Sequence, residues 1–210
     1  MSPRRSVAET RDTRARIIAR SAAIASVDGL EGLTIGRLAG DLGMSKAGVL
    51  GHFGTKEALQ IAALDGASEE FVRLVWEPAA DRPAGLARLL AVCEAWTAYL
   101  VGERAAFPGG CLFTTASIEF DARQGPVRDK VLRLFTGWRK SLVADVRAAV
   151  EAEELPRDTD PDQIVFELFG IYLSLNQSVQ LFDDPRAAER ARTAVRRLLF
   201  ATSMASATPG

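Results

Sequence analysis

The stretch TIGRLAGDLGMSKAGVLGHFGTK, residues 34–56, decides how this chain is read. Its first part places Ile35, Leu38, Ala39 and Leu42 at the spacing of one helical face. Gly43 follows at once, and glycine suits the left-handed backbone that ends a helix in a tight turn. Ser45 is then placed to cap a second short helix, with Ala47, Val49 and Leu50 among its apolar positions. Ala39 is small where it faces the turn, so the two helices can approach. The spacing predicts a helix-turn-helix, a motif whose second helix enters the major groove of DNA.

Working outward, residues 11–27 read as an amphipathic helix with Ile17, Ile18, Ala22, Ile24 and Ala25 available for burial, and Gly29 ends it. On the other side, His52-Phe53 leads into Gly54-Thr55-Lys56-Glu57. Thr55 there can cap a long helix running to about Trp76 through Leu59, Ala62, Ala63, Phe71 and Leu74.

No strand-type alternation persists in the rest, whereas helix punctuation recurs. Pro83 suits the first turn of a helix that continues to Gly102, and Gly125-Pro126 opens another, to about residue 153. Phe107-Pro108-Gly109-Gly110 reads as a loop before the apolar stretch 111–120. Asp160-Pro161-Asp162-Gln163 approaches a capping box, and Asp184-Pro185 starts a last helix to about Ser203. Residues 204–210 are small and expected to fray. The expectation is an all-α chain of about nine helices. Residues 1–56 form an N-terminal three-helix unit, and residues 57–210 a larger helical body.

Composition narrows the function classes. With 48% apolar and 25% charged residues, the 210-residue chain can bury a core and keep a polar surface. No uncharged apolar run is long enough to span a membrane, and no secretory signal follows the basic start, so cytoplasmic residence is the default expectation. Cys93 and Cys111 make no disulfide framework, and the one histidine, His52, argues against a histidine metal site or catalytic triad. No phosphate loop or nucleophile signature stands out either, so neither an enzyme nor a bound cofactor is expected.

Net charge is −1, but it is unevenly spread. Residues 1–56 carry nine Lys/Arg against five Asp/Glu, a net +4 that leaves −5 for the remainder. A basic end on an acidic body suits a module that docks on phosphate while the rest stays clear.

Within a helix-turn-helix, some contacts position the protein on phosphate and others read base edges. Thr34 begins the first helix, where its hydroxyl and the nearby N–H groups can meet a phosphate. Arg37 lies one turn on and can reach phosphate or base. Ser45, Lys46 and Ala47 lead the second helix; Lys46 can donate to guanine and Ala47 can touch a thymine methyl. Gly48 and Gly51 are poor helix residues. Gly48 suits local packing, and Gly51 suits close approach to DNA. Phe53, Val49 and Leu38 are assigned to the core of this small unit.

From Thr13 to Leu59, TRARIIARSAAIASVDGLEGLTIGRLAGDLGMSKAGVLGHFGTKEAL resembles the TetR family, the tetracycline-repressor-like bacterial transcription regulators. The resemblance rests on the Arg-rich lead-in, the glycine before the second helix, its Thr cap, Gly43, His52-Phe53 and Lys56-Glu57. It implies that His52 and Lys56 touch the DNA backbone, and it departs at Leu50. Family members usually carry a Tyr there that reaches a phosphate, so that contact is missing or replaced. The resemblance further implies a homodimer on a two-fold-related stretch of double-stranded DNA, with a small-molecule effector held in the body.

The body offers aromatic and sulfur residues that would suit an apolar or aromatic effector: Trp96, Tyr99, Phe107, Cys111, Phe113, Phe120 and Trp138, with Phe71, Trp76 and Phe135. Glu119 and Tyr99 are its candidate polar anchors. The alternative for all of these is ordinary core. Cys111 is also an alternative redox sensor, although a buried, inert thiol is its plainer reading. Residues 164–182 are apolar on more than one face, which points to cover by a partner chain, and residues 162–203 are the expected dimer surface.

Overall fold

The computed structural model describes residues 7–102 and 106–205. Among them the chain forms nine α-helices and no strand. The first four are α1 (Val7–Gly32), α2 (Ile35–Leu42), α3 (Lys46–Phe53) and α4 (Lys56–Phe71), and α5 (Leu86–Gly102) and α6 (Leu112–Phe120) follow. The long α7 (Pro126–Glu151), α8 (Pro161–Gln180) and α9 (Ala187–Ala205) complete the set. After α4 the ladder widens into π turns over Val72–Trp76 and tightens into a 3-10 turn at Glu77–Ala79. Because α9 reaches Ala205, the start of the tail expected to fray is helical; residues 206–210, like Arg4 and Arg5, lie outside the described residues.

The chain divides into two compact units, Met1–Glu69 with Arg104–Leu132, and Glu70–Glu103 with Arg133–Gly210. In the first, Ile17 and Ile24 of α1, Leu33, Leu38 and Ala39 of the α2 region, Val49 of α3 and Leu59 of α4 form a closed core. Ile35, Leu42, Met44 and Phe53 pack against it. Burying each of the large aliphatic side chains contributes about 1.5–3 kcal/mol, which is how helices of one or two turns hold together.

The long α1 is broken at Gly29, whose φ of 75° and ψ of 168° are open to glycine but strained for any other residue. A break bares backbone N–H groups, and those groups need acceptors. Glu119, on α6, supplies both: its carboxylate accepts from Leu30 N–H at 2.7 Å and from Glu31 N–H at 2.8 Å. The buried amide of Gln60 donates to the Leu30 carbonyl at 2.7 Å. α6 packs along α1 and carries this clasp.

In the second unit α5, α8 and α9 pack on one another around Leu89, Val92, Val165, Leu168, Leu175 and Leu199. Asp145 is fully buried there and is matched by Arg88, whose Nη2 lies 2.7 Å from its Oδ1. Two local expectations are corrected. α5 starts at Leu86, not in the turn of Pro83, because Glu154 accepts from Leu86 N–H at 2.7 Å and caps the helix there. At α8, Asp160 does cap, accepting from Asp162 N–H at 2.9 Å. Gln163 does not close the box: its oxygen takes no bond from the Asp160 N–H, and its amide N–H donates to Glu167, 2.9 Å away.

Candidate functional site

The two short helices of the first unit owe their geometry to three local devices. Thr34 caps α2, its hydroxyl accepting from Arg37 N–H at 3.2 Å. Gly43 then takes a left-handed conformation, φ 63° and ψ 31°, and the next N–H, of Met44, donates back to the Ala39 carbonyl at 2.9 Å. Ser45 caps α3, accepting from Gly48 N–H at 3.0 Å. Such caps are worth about 0.5–2 kcal/mol each, and here they also fix where α3 begins.

Packing then decides which face α3 shows. Val49 is fully buried, so Lys46, Ala47, Leu50 and Gly51 stand on the exposed side. The stem of Lys46 runs beside Gly36 of α2: a Cβ at Gly36 would lie 3.2 Å from Lys46 Cε. His52 is half-buried, and Phe53 beside it lies under the Arg14 guanidinium, 4.4 Å from the ring centre. Thr34, Arg37, Ser45, Lys46, Ala47, Gly51, His52 and Lys56 thus all sit on α2, α3, their caps and the first turn of α4.

Two acidic residues that sequence reasoning did not single out belong with them. Asp28 is paired with Arg37, and the Lys56 ammonium donates to the Glu31 carbonyl at 2.7 Å, with the Glu31 carboxylate 3.5 Å away. The partners are nine and 25 residues apart, beyond the helical spacings that mark charge pairs in a sequence.

The aromatic candidates fall into two groups. Trp96, Tyr99 and Trp138 gather in the second unit with Phe71 and Trp76. Phe71 meets Trp138 edge-on at 4.9 Å, Tyr99 at 5.3 Å and Trp96 at 6.0 Å, and Trp76 meets Trp138 at 5.8 Å. Trp96 also stacks flat on Tyr172 at 3.9 Å and meets Phe169 edge-on at 5.7 Å. Tyr172 and Phe169 are members that the sequence reading missed; both lie within the apolar run of α8, and nothing local separates them from its other core positions. The Trp138 Nε1–H is buried with no hydrogen-bond partner among the described residues. Phe107, Cys111, Phe113, Glu119 and Phe120 lie in the first unit. Both oxygens of Glu119 are engaged by Leu30 and Glu31, and the Phe120 ring lies under the Arg123 guanidinium at 5.1 Å.

Neither cysteine is set up for redox chemistry by exposure, since both are buried thiols. Burial pushes the Cys93 thiol up to about 12. The Tyr172 hydroxyl, itself pushed up by burial, donates to the Cys93 carbonyl at 2.6 Å. Among the described residues no group of three or more His, Cys, Asp or Glu could hold a metal, and no helix is long and apolar enough to cross a membrane.

α8 resolves its two apolar faces differently. Ile164, Val165, Leu168, Tyr172, Leu175 and Val179 are buried within the chain, whereas Phe166 is 69% and Leu173 51% exposed. Gly170 sits between those two, with open space where a Cβ would point.

Residues 85–195, just over half of the chain, match the family model described as "Tetracyclin repressor-like, C-terminal domain". The chain belongs to the TetR family. Solved structures of the family share its fold. A TetR transcriptional regulator from Chloroflexus aurantiacus superposes with a TM-score of 0.81 at 24% identity, over 91% of this chain and 96% of that one. A TetR-family regulator from Cytophaga hutchinsonii gives 0.79 at 22% identity, over 94% and 98%. AibR, solved with isovaleryl coenzyme A and operator DNA, gives 0.71 at 21% identity, over 90% and 99%. No curated protein matches the chain. The helix-turn-helix of this all-helical fold lies in α2 and α3.

Proposed function

We propose that this protein is a homodimeric repressor that binds a two-fold-related operator and is released from it by a small apolar or aromatic-containing molecule. The observation that carries the reading is the exposed face of α3, where Lys46, Ala47 and Gly51 stand clear of a core closed by Val49. A helix of this kind admits its leading end to the major groove, and Thr34, Arg37, His52 and Lys56 flank it as phosphate contacts.

The dimer surface is the outer face of α8 with α9, where Phe166, Leu173 and, on α9, the 44%-exposed Phe200 would be covered by the partner's equivalent face. The effector is received by the aromatic cluster around Trp96 and Trp138, with the Trp138 N–H as its orienting donor. That AibR was solved with both an acyl thioester and operator DNA supports a body of this architecture accepting a small molecule. The effector acts by binding the dimer more tightly in an arrangement whose recognition helices no longer match the half-site spacing. α4 carries the change, because its first turn bears Lys56 and its continuation bears Phe71 and Trp76. By reciprocity, operator DNA must weaken effector binding by the same factor. On this reading the protein is a regulator and not an enzyme, and it acts where its DNA is, in the cytoplasm.

Selection of fragments of the source genome by the wild-type protein in a mobility-shift assay tests the reading. A small set of enriched fragments that share a two-fold-related sequence is expected. Enrichment no better than that of random DNA would overturn it.

A further inference from the structure

Two of the cations assigned to DNA phosphate already have anionic partners inside the protein. Arg37, in the first turn of α2, is paired with Asp28, and neither side chain is deeply buried: 47% and 33% of their surfaces are exposed. Lys56, at the head of α4, holds the Glu31 carbonyl at 2.7 Å and faces the Glu31 carboxylate at 3.5 Å. Arg123 Nη1 faces the same carboxylate at 3.5 Å, and Gln60 Nε2 at 3.4 Å. Asp28 and Glu31 flank the Gly29 break, which the Glu119 carboxylate pins through Leu30 and Glu31. Their position is therefore built into the fold and does not depend on a loose surface chain.

We propose that Asp28 and Glu31 attenuate DNA binding by competing with phosphate for Arg37 and Lys56, an inference that rests on the DNA-binding reading above. A phosphate that takes Arg37 must displace Asp28, or else accept a contact whose charge is already neutralised. Either way the electrostatic gain is reduced by what the internal pair is worth. For an exposed ion pair that is a factor of about two to five in affinity. The attenuation is independent of sequence, because the contacts it weakens are to the backbone. It lowers the ceiling on DNA affinity, so that a modest effector coupling suffices for release.

Asp28→Asn keeps the size and shape of the side chain and removes its charge. The probe is a labelled random-sequence duplex at low salt, on which phosphate contacts dominate. Binding is measured by fluorescence anisotropy for wild type, Asp28→Asn, Arg37→Ala and the double variant, each first shown to be folded by circular dichroism. The expected result is that Asp28→Asn binds about two- to fivefold tighter. In the Arg37→Ala background the same change should have no effect. Glu31→Gln, tested in wild-type and Lys56→Ala backgrounds, should follow the same pattern with a smaller gain, because Gln retains the backbone carbonyl that Lys56 holds. An equal gain from Asp28→Asn with and without Arg37 would show bulk charge at work and overturn the proposal. So would an Asp28→Asn protein that binds no tighter than wild type. If the wild type and every variant bind no duplex at all, the DNA-binding reading itself falls, a result distinct from these two.

Discussion

Glu119 closes the break in α1 by accepting the amide of Leu30, 89 residues earlier in the chain, at 2.7 Å. Its other oxygen accepts from Glu31 at 2.8 Å, so a single carboxylate on α6 holds both N–H groups beside Gly29. Removing it leaves two donors to find water or go unsatisfied. Glu119→Ala should therefore lower stability by about 1–3 kcal/mol in urea unfolding, and Glu119→Gln, which keeps one acceptor, by less. Gly29→Ala should cost a comparable ~1–3 kcal/mol, since it strains a positive φ. The new Cβ would also lie 2.8 Å from the Glu119 carboxylate. Unchanged midpoints for Glu119→Ala would show that the clasp contributes nothing.

This clasp also marks where sequence reading stops. The helix-turn-helix is legible because its determinants are local: Thr34, Gly43 and Ser45 act on groups within five residues of themselves, and Leu38, Ala39 and Val49 recur at helical spacing. Glu119 is different. Its place between Ile118 and Phe120 suggests a polar anchor in an apolar setting, but only the packing of α6 on α1 says what it anchors. Pro83 misleads for a similar reason: its local signal for a helix start is overruled by the cap that Glu154 places on Leu86, 68 residues from it. In the aromatic body, Trp96 and Trp138 are recognisable candidates. Tyr172 and Phe169 sit in a run so uniformly apolar that its pattern cannot separate one face from another.

The contact assignment of the reading head is testable by two substitutions of unlike outcome. Lys46→Ala should lose roughly 1–3 kcal/mol of binding to a selected operator and relax its sequence preference. Lys56→Ala should weaken all duplexes similarly and flatten the dependence of affinity on salt. If binding to the selected operator is unaltered in both proteins, the assignment is wrong.

The outer face of α8 leads to a third expectation. Gly170 lies between the exposed Phe166 and Leu173, and a Cβ there meets nothing within the chain. Gly170→Arg should thus leave the fold of the single chain intact while placing a charge in the dimer surface. Sedimentation should show a wild-type dimer and a variant monomer at micromolar concentration; a wild-type monomer would refute the dimer.

Cys93 provides a check on the body's core. Burial raises its thiol from an ordinary 9.0 to about 12, so the native thiol stays protonated where an unfolded one begins to ionise. Its contribution to stability is whole below pH 9.0 and is lost as pH rises toward 12. Iodoacetamide at mildly alkaline pH should leave Cys93 unmodified in the native protein and label it in denaturant, as read by peptide mass spectrometry. Rapid labelling of native Cys93 would contradict the packing of α5 against α8.

The central claim is that this TetR-family chain reads DNA as a symmetric pair of heads built from α2 and α3. Hydroxyl-radical footprinting of wild-type protein on a genome-selected fragment measures this most directly. The account predicts two protected segments related by a two-fold axis, separated by about one helical turn of DNA or a multiple of it, each lost when Lys46 is replaced. Protection of a single segment, or uniform protection that moves with the fragment ends, would contradict it.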